Sequence, residues 1–165
     1  MELCDQLEPV TSCELNCTYA EVNFNLYFKN MSIITLDGCE TQVIDQFIGQ
    51  SILFNIILYL AIYNSHDIND IPEGSSKISQ VQWLDLSHNN IQQMNGLGEN
   101  NAIRYLSLNY NQIDSIHEDT VANLTFLEQL HLEGNLIEHI SNDLWSVFDK
   151  LEHLNFINLD NNSIK

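Results

Sequence analysis

The chain has 165 residues, 44% of them hydrophobic, which suffices for one domain with a continuous core and excludes a disordered tail. Five Lys+Arg stand against 23 Asp+Glu, a formal net charge of -18, and this argues against nucleic acid and anionic lipid as partners, because both are bound through basic residues. Such a surface suits a soluble extracellular protein or one with a basic partner.

The opening Met1-Glu2-Leu3-Cys4-Asp5 has neither the charged nor the apolar region of a signal peptide, so the sequence reads as starting past a cleavage site or as partial. The four cysteines, Cys4, Cys13, Cys17 and Cys39, all fall in the first quarter. An even number clustered at one end predicts a disulfide-stapled N-terminal cap, with three pairings open. Cys13 and Cys17 do not read as a zinc site, since no histidine lies near and no second close pair follows. Four glycosylation sequons, at Asn16, Asn30, Asn123 and Asn161, join the cysteines in favouring the secretory pathway.

Two degenerate units come next. Met31, Ile34 and Leu36 lead to Cys39, and Ile57, Leu60 and Ile62 lead to Ser65, with a one-residue misfit before Ile68 and Ile71. The most apolar stretch, Ile52 to Tyr63, is far shorter than the ~20 residues of a membrane span and reads as a buried strand with its flank. Asp67, Asn69 and Asp70 hint at calcium, but the glycine and glutamate that complete an EF-hand loop are missing.

From residue 81 the chain repeats plainly. Val81 to Ile91, Ile103 to Ile113, Leu127 to Ile137 and Leu154 to Ile164 each fit L-x-x-L-x-L-x-x-N-x-L. From Leu84 to Leu106, Leu130 and Ile157 the spacings are 22, 24 and 27 residues, within the range of about 20–29 for such units. Each unit predicts a short strand, a turn and a returning segment, with alternate strand residues pointing inward. The recurring asparagines Asn89, Asn111, Asn135 and Asn162 would be costly to bury unpaired, so they are expected to form a ladder bonded to backbone groups of the turns.

The return segments carry Ile113, Ile116, Val121, Leu124 and Leu127, then Ile137, Ile140, Leu144, Val147 or Phe148, and Leu151. A short helix is expected over 141–150, with Ser141 or Asn142 as N-cap. The unit after Asn89 is shorter and holds Gly96 and Gly98, which predicts irregular coil; that pair is no phosphate loop, lacking the third glycine and the strand-to-helix context. The chain stops one residue after a good repeat, which predicts an exposed apolar edge there unless a further segment or partner covers it.

The expected fold is thus α/β: a leucine-rich-repeat solenoid, a curved horseshoe fragment with parallel strands on its concave face. Residues 1–40 would form the cysteine-rich cap with a possible first degenerate repeat, and residues 41–165 the repeats. Solenoids bind on the concave face. One outward column there holds Tyr59, Trp83, Tyr105, Gln129 and Phe156; the next holds Ala61, Asp85, Ser107, His131 and Asn158; the turn adds His88 and Tyr110. Aromatics are enriched at binding hot spots, although rings in a column also pack one another for stability. A glycan at Asn161 would shield one end of this face, whereas one at Asn123 would leave it open. No catalytic constellation is present: the six histidines share no ligand spacing, and no nucleophile elbow occurs. No cofactor and no metal are expected.

The asparagine-bearing units and the segment from Leu144 to Leu151 resemble extracellular leucine-rich-repeat proteins of animals, above all mosquito leucine-rich-repeat immune proteins and Toll-type receptor ectodomains. The resemblance covers residues 81–165. It implies a secreted protein-binding module acting as an innate-immune recognition or scaffold protein. The alternatives are an ectodomain fragment of a transmembrane receptor and a structural extracellular-matrix protein. The mosquito family has long solenoids with coiled-coil tails that pair through disulfides and hold complement-like proteins; no such tail lies in this sequence, so any oligomer is expected through a part beyond Lys165.

Overall fold

The computed structural model describes residues 12–16, 32–49, 57–71, 80–95, 97 and 102–165. Seven strands form one open sheet in sequence order, every pairing parallel. They are β1 (Ser12–Asn16), β2 (Ile33–Asp37), β3 (Tyr59–Tyr63), β4 (Trp83–Asp85), β5 (Tyr105–Ser107), β6 (Gln129–His131) and β7 (Phe156–Asn158). Alternation sends Leu60, Leu84, Leu106 and Leu130 inward, all within 1% of complete burial, and sends Tyr59, Trp83, Tyr105 and Gln129 outward in register. The two columns are in the expected register, but Ala61 and Ser107 of the second are buried and do not face outward to solvent. The sheet also continues through β2 to β1, so the region read as a cap contributes strands in register with the repeats.

The return segments close the other side of the core. Ile113, Ile116, Val121, Leu124 and Leu127 are buried, as are Ile137, Leu144, Phe148 and Leu151, with Ile140 partly so. Among the described residues, three helices lie on this side of the repeats: α1 (Thr41–Gly49), α2 (Glu118–Ala122) and α3 (Asn142–Phe148). The last forms where Leu144 and Phe148, one turn apart, face the core, and Ser141 caps it by accepting from the Leu144 amide at 3.0 Å. The Ser141 hydroxyl also donates to Glu118 at 2.7 Å, tying α3 to α2. The sequence reading did not find α1; its buried Ile44, Phe47 and Ile48 have helical spacing, and Asp67 accepts from the Thr41 amide at its first turn at 2.8 Å. After Asn89, residues 91–95 carry no helix, only an isolated bridge from Asp70 to Gln93.

The asparagine ladder accounts for the turns. Asn111 Nδ2 donates to the Leu86 carbonyl of the preceding unit at 2.9 Å and to its own Leu108 carbonyl at 3.1 Å, while its Oδ1 accepts from the Ile91 amide at 3.0 Å. Asn89, Asn135 and Asn162 repeat this pattern one unit apart. Ser65 stands at the same position and does half the work: its hydroxyl accepts from the Cys39 amide at 3.1 Å and donates to the Tyr63 carbonyl at 3.1 Å. The misfit after Ser65 is absorbed by a tight turn, in which the Ile68 amide donates back to the Ser65 carbonyl at 3.0 Å. Cys39 occupies the rung before that, is buried, and takes part in a disulfide; the side chains of Cys4, Cys13 and Cys17 lie outside the described residues.

The residue before each rung is left-handed: Gly38, Asn64, His88, Tyr110, Gly134 and Asn161 have φ between 52° and 69°. The turn demands that conformation, which costs an L-residue about 1–2 kcal/mol and suits Gly and Asn. At the β7 end Leu154, Ile157 and Leu159 are only partly buried, and Ile164 is exposed.

Replacing Asn111 by alanine strands the Ile91 amide and removes one of the two asparagine bonds to each of the Leu86 and Leu108 carbonyls, which Asn89 and Asn135 still reach. Urea unfolding should show a loss of at least about 1–3 kcal/mol. The same change at half-buried Asn162 should cost less, because water can replace its bonds; equal costs at the two rungs would contradict the ladder.

Candidate binding face

The outward columns of β3 to β7 bring five rings into one continuous stack. Tyr59 lies 5.9 Å from Trp83 between ring centroids, Trp83 lies 3.8 Å from Tyr105, Tyr105 lies 4.7 Å from His131, and His131 lies 4.9 Å from Phe156. The sequence placed His131 in the second column and Gln129 in the first. In three dimensions the imidazole leans between Tyr105 and Phe156, and Gln129 supports it with Oε1 3.2 Å from Nε2. Trp83 and Phe156 remain 42% and 45% exposed, so part of each ring is accessible to a partner. A groove of about 440 Å³ runs along the outer edge of the stack, bounded by Leu58, Tyr59, Trp83 and Tyr105.

Beneath and beside the rings lies a polar network centred on Asp85. Its Oδ2 accepts from Tyr63 Oη at 2.8 Å, and its Oδ1 accepts from the Ser87 amide at 3.1 Å and hydroxyl at 2.6 Å. Ser87 Oγ sits 2.7 Å from Ser107 Oγ. Ser107 is buried, so among the expected contact residues it supports the face from below. Burial, followed by the bonds to Tyr59 and Asp85, pushes the Tyr63 hydroxyl far above the ordinary tyrosine range. The Tyr105 hydroxyl is raised as well, first by burial and then by the Asp85 charge.

A second row runs through the left-handed turns. His88 stacks on Tyr110 with centroids 4.8 Å apart, and Tyr110 Oη donates to Glu133 Oε1 at 2.8 Å. The Tyr110 ring lies so close over Gly134 that a Cβ there would fall 2.6 Å from it, which together with φ +69° explains the glycine. Glu133 also accepts from Asn161 Nδ2 at 3.0 Å and from Asn158 Nδ2 at 3.4 Å. Asn123 is exposed at the end of α2, on the return side, and Asn16 closes β1; Asn30 lies outside the described residues.

Sequence reasoning missed Tyr63, Ser87 and Glu133, and the signal was available. Extending the alternation two residues past each second-column position gives Tyr63, Ser87, Asn109, Glu133 and Asp160. The backbone continues strand-like there, with Leu108 donating to the His131 carbonyl and Leu132 to the Asn158 carbonyl, each at 2.8 Å.

Burial holds the His131 imidazole below its ordinary pKa, against the opposing pull of Asp85 and Glu133. A histidine with a lowered folded pKa contributes stability that is whole above about 6.5 and falls as acid protonates the unfolded chain first. Unfolding measured from pH 8 down to pH 5 should therefore show a decline below about pH 6.5 that His131→Gln reduces. An unchanged acid slope in that variant would show that the imidazole does not titrate with folding.

A family model for the leucine rich repeat matches residues 101–164. No curated protein matches the chain by sequence. Among solved structures, an internalin C2 from Listeria monocytogenes aligns with TM-score 0.60 at 22% identity, over 83% of this chain and 55% of that one. A TLR13–ssRNA13 complex aligns with TM-score 0.60 at 18% identity, over 82% of this chain and 22% of that one. The leucine-rich-repeat ectodomain of the receptor kinase SOBIR1 from Arabidopsis thaliana aligns with TM-score 0.53 at 24% identity, over 70% and 62%. The chain thus spans less than two thirds of the length of each, and identities this low speak to fold. With the asparagine ladder and the parallel sheet in repeat register, they show that this chain has the leucine-rich-repeat fold.

Proposed function

We propose that this chain is a secreted protein-recognition module whose binding surface is the strand face from Tyr59 to Phe156. The observation that carries this reading is the unbroken ring stack, with Trp83 and Phe156 nearly half exposed in the middle and at the end of it. The rings stand on a parallel sheet, whose rigidity lowers the entropy lost when a partner is bound. His88 and Tyr110 hold strained left-handed conformations beside this face, and strain of that kind gathers at functional positions. Asp85, Gln129 and Asn158 add the polar groups that orient a partner.

Residues 1–40 act as a disulfide-stapled cap joined to the sheet, and residues 41–165 form the recognition array. The buried, bonded sulfur of Cys39 and the four sequons support an oxidising, glycosylating route to the outside. Of the sequons, Asn161 donates its amide to Glu133 beside the strand face, and Asn123 donates to the Asp119 carbonyl at 3.2 Å and stands clear of that face, so a glycan at Asn123 is compatible with binding there. An innate-immune recognition or scaffold role fits such a module, and no catalysis is assigned to it. The scarcity of Lys and Arg weighs against nucleic acid, although one similar structure is a complex with single-stranded RNA. The second reading, the ectodomain of a receptor, is favoured by the likeness to the SOBIR1 ectodomain; among the described residues no helix is long and apolar enough to cross a membrane.

Affinity capture from native extracellular fluid tests the surface. A specific protein should be retained by the glycosylated chain and by Trp145→Ala on the helical side, and lost with Trp83→Ala/Tyr105→Ala. Equal retention by all three would place binding elsewhere.

A further inference from the structure

We propose that the partner of the strand face is a basic protein segment, with Arg or Lys side chains seated on the Trp83–Tyr105 stack and against the carboxylates of Asp85 and Glu133. This deepens the reading above and rests on it. Asp85 stands two residues from Trp83, on the same side of β4, and Glu133 is joined to the face by its bond from Asn158. Every hydrogen bond described to these two carboxylates comes from a neutral donor: a tyrosine hydroxyl, a serine, an asparagine amide or a backbone amide. Neutral donors fix a carboxylate in place without cancelling its charge. The face therefore presents preorganised negative charge beside partly exposed aromatic rings, a combination that attracts a basic segment through the charge and packs the aliphatic stems of its Arg or Lys side chains against the rings.

The chain has no cation of its own to spare for this face among the described residues. Arg104, at the groove's edge, is held by Glu128 at 2.6 Å; Lys165 is paired with Glu138 at 2.8 Å; Lys150 follows α3 on the opposite side. His131 sits inside the stack, where burial disfavours its protonation. Glu14 on β1 and Asp160 after β7 extend the negative charge toward both ends. Asp85 and Glu133 belong to units two strands apart, about 10 Å at ~4.8 Å per step. One ammonium group cannot span that distance, whereas a peptide segment with two basic residues can.

The test uses a fluorescein-labelled heptapeptide of alternating leucine and arginine, its citrulline counterpart and its glutamate counterpart, with binding read by anisotropy. The arginine peptide should bind the unaltered chain, the citrulline peptide about tenfold or more weakly, and the glutamate peptide not measurably. Asp85→Asn/Glu133→Gln should weaken arginine-peptide binding by about tenfold, whereas Asp114→Asn/Glu152→Gln, which removes the same charge away from the strand face, should change it about twofold or less. Circular dichroism checks that each variant is folded, and the citrulline comparison needs no variant at all. Equal binding of the arginine and citrulline peptides, or equal weakening by the two pairs of charge changes, would overturn the proposal. A partner lost with Trp83→Ala/Tyr105→Ala but indifferent to Asp85 and Glu133 would also overturn it, while leaving the strand face as the binding surface.

Discussion

The structure depends on how a buried turn satisfies its peptide groups. A solenoid must turn inside its own core once per unit, and each turn leaves an amide and two carbonyls that neither strand pairing nor water can reach. One asparagine side chain supplies the acceptor and both donors, and it does so between adjacent units, so that Asn111 answers the Leu86 carbonyl and the Ile91 amide of its neighbour. Leaving such groups unpaired costs about 1–3 kcal/mol apiece, comparable with the burial of an apolar side chain. The rungs therefore fix the stacking of units as firmly as the leucines do. The register they fix is what places Trp83 directly beside Tyr105.

The rung also imposes a backbone requirement. The residue ahead of it is left-handed in every described unit, and where the sequence offers Gly or Asn that is readily met. His88 and Tyr110 meet it against their preference, and both are rings stacked on one another at the rim of the strand face. The same row gives up a side chain altogether at Gly134, where the Tyr110 ring covers the backbone. A sequence shaped for stability alone would have Asn or Gly at both positions. The tyrosine earns its place by what it presents outward and by its bond to Glu133.

Much of this was legible in the sequence, because a repeat announces its own register. Four matched units fixed the inward leucines, the ladder and both outward columns, and the Ser141 cap with Leu144 and Phe148 placed α3. Where the pattern thins, so does the reading. Ser65 and Cys39 stand on rungs without being asparagine, and α1 lies in a unit whose apolar residues, Ile44, Phe47 and Ile48, match no repeat template. The ring stack was half visible: a column assignment cannot tell that His131 leans across to Tyr105 and Phe156, since that depends on rotamers and on Gln129 yielding the space. Extending the alternation places Tyr63 and Ser87 in a third column, but does not show their bonding to Asp85 and Ser107. That network links side chains from three strands, Tyr63, Asp85 with Ser87, and Ser107, whose separation in sequence carries no motif.

Amide hydrogen exchange followed by nuclear magnetic resonance tests the ladder most directly. The Ile91 and Ile113 amides lie outside every strand and helix, yet each donates to a buried asparagine of the next unit at 3.0 Å. They should exchange as slowly as the strand amide of Leu106, opening only when the stack as a whole unfolds. Exchange as fast as that of the exposed neighbour Asp114 would show that the rungs open one at a time and do not hold the units together.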